Sequence, residues 1–211
     1  MRQRNVKNKK EIINNSKAII LNPNEYIGVW NKVFNNSNPI YIEIGMGKGD
    51  FILENAIRYP DINFIGIEKY DSIMALAIKK IDTYDLPNLK LIRMDALDIL
   101  DIFRNEIDKI YLNFSDPWPK ERHAKRRLTS PVFLKKYDHI FKNNKIIEMK
   151  TDNRKLFEYS LLSFNDNGYL IKEISLDLHH SDYSNNIMTE YEKKFSLQNM
   201  SIYYVKVEKN I

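Results

Sequence analysis

The sequence predicts an α/β protein with a mostly parallel sheet, an antiparallel strand near the C-terminus and helices on both faces. After about residue 38, short apolar β-branched runs alternate with amphipathic helical patterns. The runs are almost continuously apolar, as is typical of strands that are buried on both faces. With 211 residues, of which 43% are hydrophobic, the chain is long enough for one full core.

The elements follow one another in a regular order. Residues 1–38 are predicted to form a basic N-terminal segment with a leading helix, and residues 39–211 a single domain. A short helical or loop segment separates the last two strands, so we expect one of them to run antiparallel. The predicted strands are 40–44, 63–67, 89–92, 109–112, 145–149, 168–175 and 200–208, and the predicted helices are 50–58, 71–83, 96–105, 131–143 and 153–164.

Composition excludes several classes of site. The chain has no cysteine, which excludes disulfides, zinc-thiolate sites and thiol nucleophiles. It has no apolar run of membrane-spanning length and no apolar leader core, so we predict a cytoplasmic protein. His179 and His180 lack metal-ligand spacing, and we predict no metal.

The charge favours a polyanionic partner. The net charge is +5 and the pI about 9.1. The basic residues are densest in the first ten positions and after residue 119. We expect the first group (Arg2, Arg4, Lys7, Lys9 and Lys10) to form a mobile tail with weak RNA contact.

A glycine-rich turn follows the first strand, in the run E-I-G-M-G-K-G-D-F at 43–51. Its G-x-G-x-G spacing differs from the dinucleotide fingerprint, and no Gly-Lys-Ser/Thr ends it as in a phosphate-binding loop. Glu43 faces this turn, Glu68 ends the second strand and Asp95 follows the third. Acids at three strand ends would repel phosphate and favour a cationic nucleoside such as S-adenosylmethionine. A plain tight turn, an N-cap role for Asp95 and a Rossmann protein of another chemistry are the alternatives.

The fourth strand leads into the run N-F-S-D-P-W-P-K-E-R-H-A-K-R-R-L at 113–128. Two prolines stiffen this loop and exclude a strand or helix interior. Asp116 is either a site residue or an ordinary turn acid, and Trp118 either a base-stacking platform or a packing anchor. The basic residues at 122–127 adjoin the loop, which favours phosphate contact over a solvated face.

These motifs in this order resemble the bacterial tRNA (guanine-N7-)-methyltransferases. The resemblance covers nearly the whole chain and includes G-I-E at 66–68, M-D-A at 94–96, K-T-D at 150–152 and T-E-Y-E-K-K-F at 189–195. One departure lies before the last strand, where the family has a glycine and then a proline and this chain has Asn199 and Ser201. The resemblance implies the Rossmann-like class I methyltransferase fold.

The resemblance also implies a reaction and its residues. The family methylates guanine N7 in the tRNA variable loop, conventionally position 46, by direct in-line attack, giving 7-methylguanosine and S-adenosylhomocysteine. Asp116 would be catalytic. The implied cofactor residues are Glu43, Gly45, Gly47, Glu68, Asp95, Ala96 and Asp116; the substrate residues are Lys120, Asp152, Thr189, Glu190, Tyr191 and Glu192; and the RNA-binding residues are Arg122, His123, Lys125, Arg126 and Arg127.

Other interpretations stay open at this stage. Thr189 and Glu192 fit a capping box, and Asp152 would suit the N-cap of the next helix. An adenine amino-group methyltransferase would carry an Asp/Asn-Pro-Pro-aromatic loop, whereas this chain has Asp-Pro-Trp-Pro. A non-catalytic RNA-binding protein on this scaffold would have lost the acids and glycines. The oligomeric state, monomer or homodimer, is not indicated.

Overall fold

The computed structural model describes residues 6–183, 186–196 and 200–210, without the side chains of 194–196. It contains a seven-stranded sheet of order β3-β2-β1-β4-β5-β7-β6. Strands β1 to β5 pair in parallel, and β7 is antiparallel to both β5 and β6, which confirms the predicted sheet. The strands are β1 Ile40–Ile44, β2 Asn63–Glu68, β3 Leu89–Arg93, β4 Ile107–Asn113, β5 Phe141–Thr151, β6 Leu170–Ser175 and β7 Tyr203–Lys209.

Helices pack on both faces of this sheet. The α-helices are α1 Lys9–Asn15, α2 Asn31–Phe34, α3 Asp50–Arg58, α4 Asp71–Ile81, α5 Pro131–Ile140, α6 Arg154–Asp166 and α7 Glu190–Ser196. Short 3-10 helices span Pro23–Tyr26, Ala96–Asp101, Glu121–Arg126 and Leu178–His180. The described part of the chain contains no helix that is both long and apolar enough to cross a membrane.

Two helix predictions were wrong in extent. Residues 96–105 form only a 3-10 turn to Asp101, because the backbone leaves helical geometry at Asp98 (φ −96°, ψ 16°). The predicted helix 131–143 ends at Ile140. Phe141 turns extended (φ −68°, ψ 137°) and starts β5 opposite Ile107, which buries its ring.

The N-terminal segment is more ordered than the sequence predicts. Lys9 and Lys10 belong to α1, which packs against α4, so the expected mobile tail is wrong for these two residues. Arg2 and Arg4 lie outside the described residues, as does Asn199. The boundary at residue 38 stays a prediction.

Strand alternation gives the sheet two unlike faces. The first face carries Ile42, Ile110 and Ile147 and packs under α5 and α6. The second face carries Phe64 and Tyr111 and packs under α3 and α4, which contact β2 and β3, while α1 packs on α4.

Trp30 anchors the N-terminal segment to the first face. Its side chain is fully buried, its ring lies tilted by 40° at 5.2 Å from the Phe103 ring, and its Nε1 donates to the Ile102 carbonyl at 2.8 Å. The Glu106 carboxylate accepts from the backbone nitrogens of Gly28 and Trp30 at 2.9 and 2.8 Å, which fixes where the segment enters the core.

We expect Trp30→Ala to lower the free energy of unfolding by about 3–5 kcal/mol, because it opens a cavity and leaves the Ile102 carbonyl without a donor. Urea unfolding of both proteins measures this. Leu21→Ala is the matched control: that side chain is 57% exposed, and its loss should change stability by less than about 0.5 kcal/mol. Equal effects of the two substitutions would contradict the anchoring role of Trp30.

Candidate active site

The glycine turn between β1 and α3 leaves open space at the carboxyl ends of the strands. Gly45 and Gly47 have φ values of 78° and 59°, which side chains rarely adopt. The Ile67 carbonyl at the end of β2 accepts from the backbone nitrogens of Gly45 and Met46 at 2.8 and 3.0 Å. Among the described residues, no atom beyond the neighbouring residues of the chain lies within 4 Å of a Cβ built on either glycine, so a ligand can approach the backbone there.

Two buried acids border this space. Glu43 is 2% exposed; its Oε1 accepts from Asn113 Nδ2 at 2.9 Å, and its Oε2 has no hydrogen-bond partner in the described residues. Burial raises the pKa of Glu43 to about 8, against the opposing effect of the Asn113 hydrogen bond. Glu68 accepts from the backbone nitrogens of Gly47 and Tyr70 at 3.2 and 2.9 Å, and burial raises its pKa as well.

The third acid plays a local role too. Asp95 caps the following 3-10 turn by accepting from the Leu97 nitrogen at 3.0 Å, so the N-cap alternative is confirmed. Its other oxygen lies 3.8 Å from Lys69 Nζ. Ala96 begins the turn and is buried. Asp95 is only partly buried, and its carboxylate remains accessible at the strand end.

The loop after β4 is strained. Phe114 and Trp118 both have positive φ, 50° and 42°, which is uncommon for aromatic residues and often marks a functional loop. The Phe114 nitrogen donates to the Lys150 carbonyl at 2.8 Å. Arg127 donates from Nε to the Pro117 carbonyl and from Nη2 to the Trp118 carbonyl, both at 3.1 Å. Asp116, between these anchors, is exposed.

The basic residues after the loop divide into two groups. Arg127 is partly buried: it braces the loop and its guanidinium lies 4.2 Å from the Tyr159 ring centroid. Its Nε and Nη2 donors are therefore engaged by the loop. Arg126 is exposed over the Trp118 ring at 4.9 Å, and the half-buried His123 meets the same ring edge-on at 5.8 Å. The remaining members, Lys120, Arg122 and Lys125, are exposed.

The capping box at the start of α7 is confirmed. The Glu192 nitrogen donates to Thr189 Oγ1 at 2.9 Å, and the Thr189 nitrogen donates to Glu192 Oε2 at 3.3 Å. Glu190 pairs with Lys48 of the glycine turn at 2.5 Å. The Tyr191 ring lies 5.0 Å from that of Phe114. The start of α7 therefore spans from the glycine turn to the strained loop.

A buried ion pair holds this start of α7 against β5. Lys150 Nζ lies 2.7 Å from Glu192 Oε2, and their side chains are 6% and 0% exposed. The ammonium also donates to the Ile187 carbonyl at 2.7 Å and to Asn186 Oδ1 at 3.0 Å. Burial lowers the pKa of Lys150, which the Glu192 charge opposes.

Glu192 has no free oxygen for another ligand. Its Oε1 contacts His179 Nε2 at 2.9 Å and accepts from Asn186 Nδ2 at 2.6 Å, in addition to the bonds of Oε2. The pKa of Glu192 is lowered because Lys150 and these hydrogen bonds outweigh its burial. In sequence, Lys150 is only the first residue of the K-T-D motif, and nothing in the strand pattern distinguishes it from Lys142 and Lys145 of the same strand.

Asp152 is free of the capping role considered for it. Asn153 is the N-cap of α6, since its Oδ1 accepts from the Leu156 nitrogen at 2.9 Å. Asp152 instead accepts from the Tyr191 hydroxyl at 3.4 Å. The structure thus brings Asp152, Tyr191 and the strained loop to one rim. Within the described ranges, no group of three or more metal-ligating side chains is present.

Comparison with known proteins places this site in context. A family model described as "Putative methyltransferase" matches residues 37–205. Proteins named tRNA (guanine-N(7)-)-methyltransferase are 50% identical in Bacillus licheniformis and 51% identical in Bacillus subtilis, each over 92% of both chains. One from Lachnoclostridium phytofermentans is 50% identical over 93% of this chain and 92% of its own.

Solved structures share the fold at low identity. The 16S rRNA methyltransferase KamB aligns with a TM-score of 0.65 at 10% identity, over 87% of this chain and 94% of its own. An antibiotic-related methyltransferase aligns with a TM-score of 0.64 at 17% identity, over 87% and 94%. At these identities the likeness shows the fold alone.

Glu43 makes stability depend on pH in a defined direction. Its pKa rises from 4.5 to about 8 on folding, so between these values the folded state binds more protons than the unfolded state. This contribution is fully present below pH 4.5 and is lost as pH rises through 8. Between pH 4.5 and 8, this effect lowers the free energy of unfolding by up to about 1.4 kcal/mol per pH unit, and we expect Glu43→Gln to remove it. Urea unfolding at pH 5.5, 6.5 and 7.5 measures it, and parallel profiles for the two proteins would contradict it.

Proposed function

The chain belongs to the bacterial tRNA (guanine-N7-)-methyltransferase family, and from this premise we propose that it methylates N7 of guanine 46 in the tRNA variable loop with S-adenosylmethionine. One observation carries the proposal beyond the family: an open glycine turn bordered by Glu43 and Glu68 meets the strained loop that carries Asp116. We also propose that it works in the cytoplasm with tRNA as its macromolecular partner.

The residues at the glycine turn fit S-adenosylmethionine. The buried Glu43 Oε2 without a partner suits the ammonium group, and ionisation of this carboxyl would be favoured by that positive charge. The open space beside Gly45 and Gly47 accommodates close approach of the ligand. Glu68 and Asp95 stand at the next two strand ends, where acids accept from ribose hydroxyls and base amines.

The proposed reaction requires alignment of guanine N7 with the methyl group more than it requires proton transfer. S-adenosylmethionine supplies a methyl group on a sulfonium, and guanine N7 has an in-plane lone pair that is unprotonated at neutral pH. No general base is required, which agrees with a described site rich in carboxylates rather than histidines. Positioning alone can supply about 7–11 kcal/mol in favourable cases. We assign the exposed Asp116 to orienting the base and to balancing the positive charge that the purine acquires.

Thr189, Glu190, Tyr191 and Asp152 form the substrate side of the proposed pocket. Glu192 was predicted to contact the guanine, but its carboxylate is fully occupied by Lys150, His179, Asn186 and the Thr189 nitrogen. We therefore propose that Glu192 positions the rim rather than binding the base. Lys120, exposed at the end of the strained loop, keeps its proposed substrate contact.

The exposed basic residues are the proposed RNA contacts. Arg122, Lys125 and Arg126 face solvent beside the loop, where phosphate can reach them. His123 and Arg127 were predicted to join them, but both pack against loop aromatics or carbonyls. Their proposed contribution to RNA binding is to hold the loop that the exposed residues flank.

The reaction is tested by incubating the protein with an unmodified tRNA transcript and methyl-labelled S-adenosylmethionine, followed by nucleoside analysis. We expect the label in 7-methylguanosine at position 46. Asp116→Ala should reduce turnover at least about 100-fold without change in thermal unfolding, because it removes charge balance at the acceptor. Label in 6-methyladenosine would identify the adenine-directed alternative, and unchanged turnover would remove Asp116 from the site.

Arg126 and Arg127 form a matched pair for testing the RNA surface. We expect Arg126→Gln to weaken tRNA binding and to flatten the slope of log Kd against log salt by about one unit, as loss of one phosphate contact does. Arg127→Gln should instead lower kcat and leave the salt slope unchanged, because it releases two loop carbonyls. Filter binding at several salt concentrations and single-turnover kinetics distinguish them. Equal salt slopes for both variants would refute this division.

A further inference from the structure

A second cavity of about 450 Å³ opens on the second face of the sheet, over β4, β5 and β7. The helices on this face contact mainly β2 and β3, and α3 reaches the edge of the cavity through Phe51, whose ring lies 5.0 Å from that of Tyr111. We call it the tyrosine cavity. Its lining includes Tyr41, Tyr59, Tyr111, Tyr183 and Tyr204, together with charged residues of four strands. The volume falls within the range of small-molecule sites.

The floor of the tyrosine cavity is formed by residues that the strand register places side by side on β4, β5, β7 and β6. Tyr111 of β4 lies beside Glu148 of β5, which lies beside Lys206 of β7, which lies beside Glu173 of β6. These four residues form one row across the sheet, all on the polar second face. The sheet therefore presents polar and aromatic side chains where a core would require apolar ones.

The tyrosine cavity contains both paired and unpaired hydroxyls: Tyr204 donates to the Tyr183 hydroxyl at 3.4 Å. Tyr111 is 8% exposed, yet among the described residues its hydroxyl makes no hydrogen bond. Burial raises the pKa of Tyr111 well above its usual value, and the nearby Glu148, Tyr41, Tyr183 and Tyr59 raise it further, so these groups converge. Buried hydroxyls normally have partners, so the Tyr111 hydroxyl offers a position for a ligand that hydrogen-bonds.

The charges of the tyrosine cavity cancel in pairs. Lys109 pairs with Glu148 at 2.9 Å, and Lys206 pairs with Glu173 at 2.7 Å. The Lys150 ammonium is occupied by its three acceptors. A phosphate would find no uncommitted cation there. Lys109 Nζ lies over the Tyr41 and Tyr111 rings at 4.8 and 5.4 Å, so stacking falls to the other tyrosines of the lining. A neutral, planar, hydrogen-bonding heterocycle fits these rings and the Tyr111 hydroxyl.

The tyrosine cavity adjoins the proposed active site. Asn113, which holds Glu43, lines it, as do Lys150, Asn186 and Ile187 of the ion-pair network. We propose that the tyrosine cavity is a second nucleobase pocket, which takes the base of a nucleotide next to the target guanine. Aromatic faces stack on any base, and stacking is a common mode of single-stranded RNA recognition. This inference rests on the proposed function.

The test combines RNA and protein changes. Three tRNA transcripts are compared: one intact, and two with an abasic nucleotide immediately 5′ or 3′ of the target guanine. The variants are Tyr59→Ala and Tyr183→Ala, at two different positions of the lining, so that one remains if the other fails to fold. Tyr84→Ala is the matched control, an exposed tyrosine outside the cavity.

We expect the native protein to bind one abasic transcript about tenfold more weakly than the intact one, in line with the loss of a stacked base. A cavity variant should bind the intact transcript about tenfold more weakly than the native protein does. The variant should bind that abasic transcript with the same affinity as the intact one. S-adenosylmethionine affinity and the Tyr84→Ala control should be unchanged. The site of methylation in the intact transcript reports on the proposed function separately.

Three results would overturn the second pocket. In the first, the native protein binds both abasic transcripts as tightly as the intact one. In the second, the loss of affinity from a cavity variant adds to the loss from the abasic nucleotide. In a third case, the cavity variants change the oligomeric state, measured by sedimentation, while their losses add to those of the abasic RNA. This last result would assign the face to contact between copies of the chain.

Discussion

The buried Lys150–Glu192 ion pair is the constraint on which the substrate side of the molecule depends. Taking two charges out of water is costly, and the cost is offset only when the remaining donors and acceptors are satisfied. Here they are: the ammonium has three acceptors, and the carboxylate has donors on both oxygens. Loss of any partner would leave a buried charge uncompensated. The pair therefore holds the end of β5, the 178–180 turn and the start of α7 in one arrangement.

The same lysine links the two sides of the proposed active site. Lys150 favours ionisation of Glu192 directly and that of Glu43 more weakly, and burial dominates at Glu43. One carboxyl is thus committed to a salt bridge, while the other keeps a proton up to about pH 8. A cation bound at Glu43 would stabilise the ionised form of its carboxylate, as Lys150 stabilises that of Glu192. Cofactor affinity should therefore depend on the ion pair that orders the substrate rim.

Much of the fold could be predicted because the local periodicity of hydrophobic residues indicates most of the strands and helices. The strands, the glycine turn and the capping box at Thr189 each depend on residues that are adjacent in the sequence. What could not be predicted depends on partners distant in sequence. Lys150 meets Glu192 42 residues later, and Asn113 meets Glu43 across 70 residues. The early end of the helix at Ile140 has the same origin, since Phe141 pairs with Ile107 rather than following its helical pattern.

Arg127 shows why residue type alone does not reveal what a side chain contacts at this site. In sequence it ends a basic run and resembles a phosphate ligand. In the structure its planar guanidinium matches two carbonyls of the loop, a geometry that lysine does not reproduce. The loop needs such a brace, because positive φ at Phe114 and Trp118 costs free energy that surrounding contacts must offset. Arg127 thus supports the geometry of the loop, which agrees with the proposal that its exposed neighbours contact RNA.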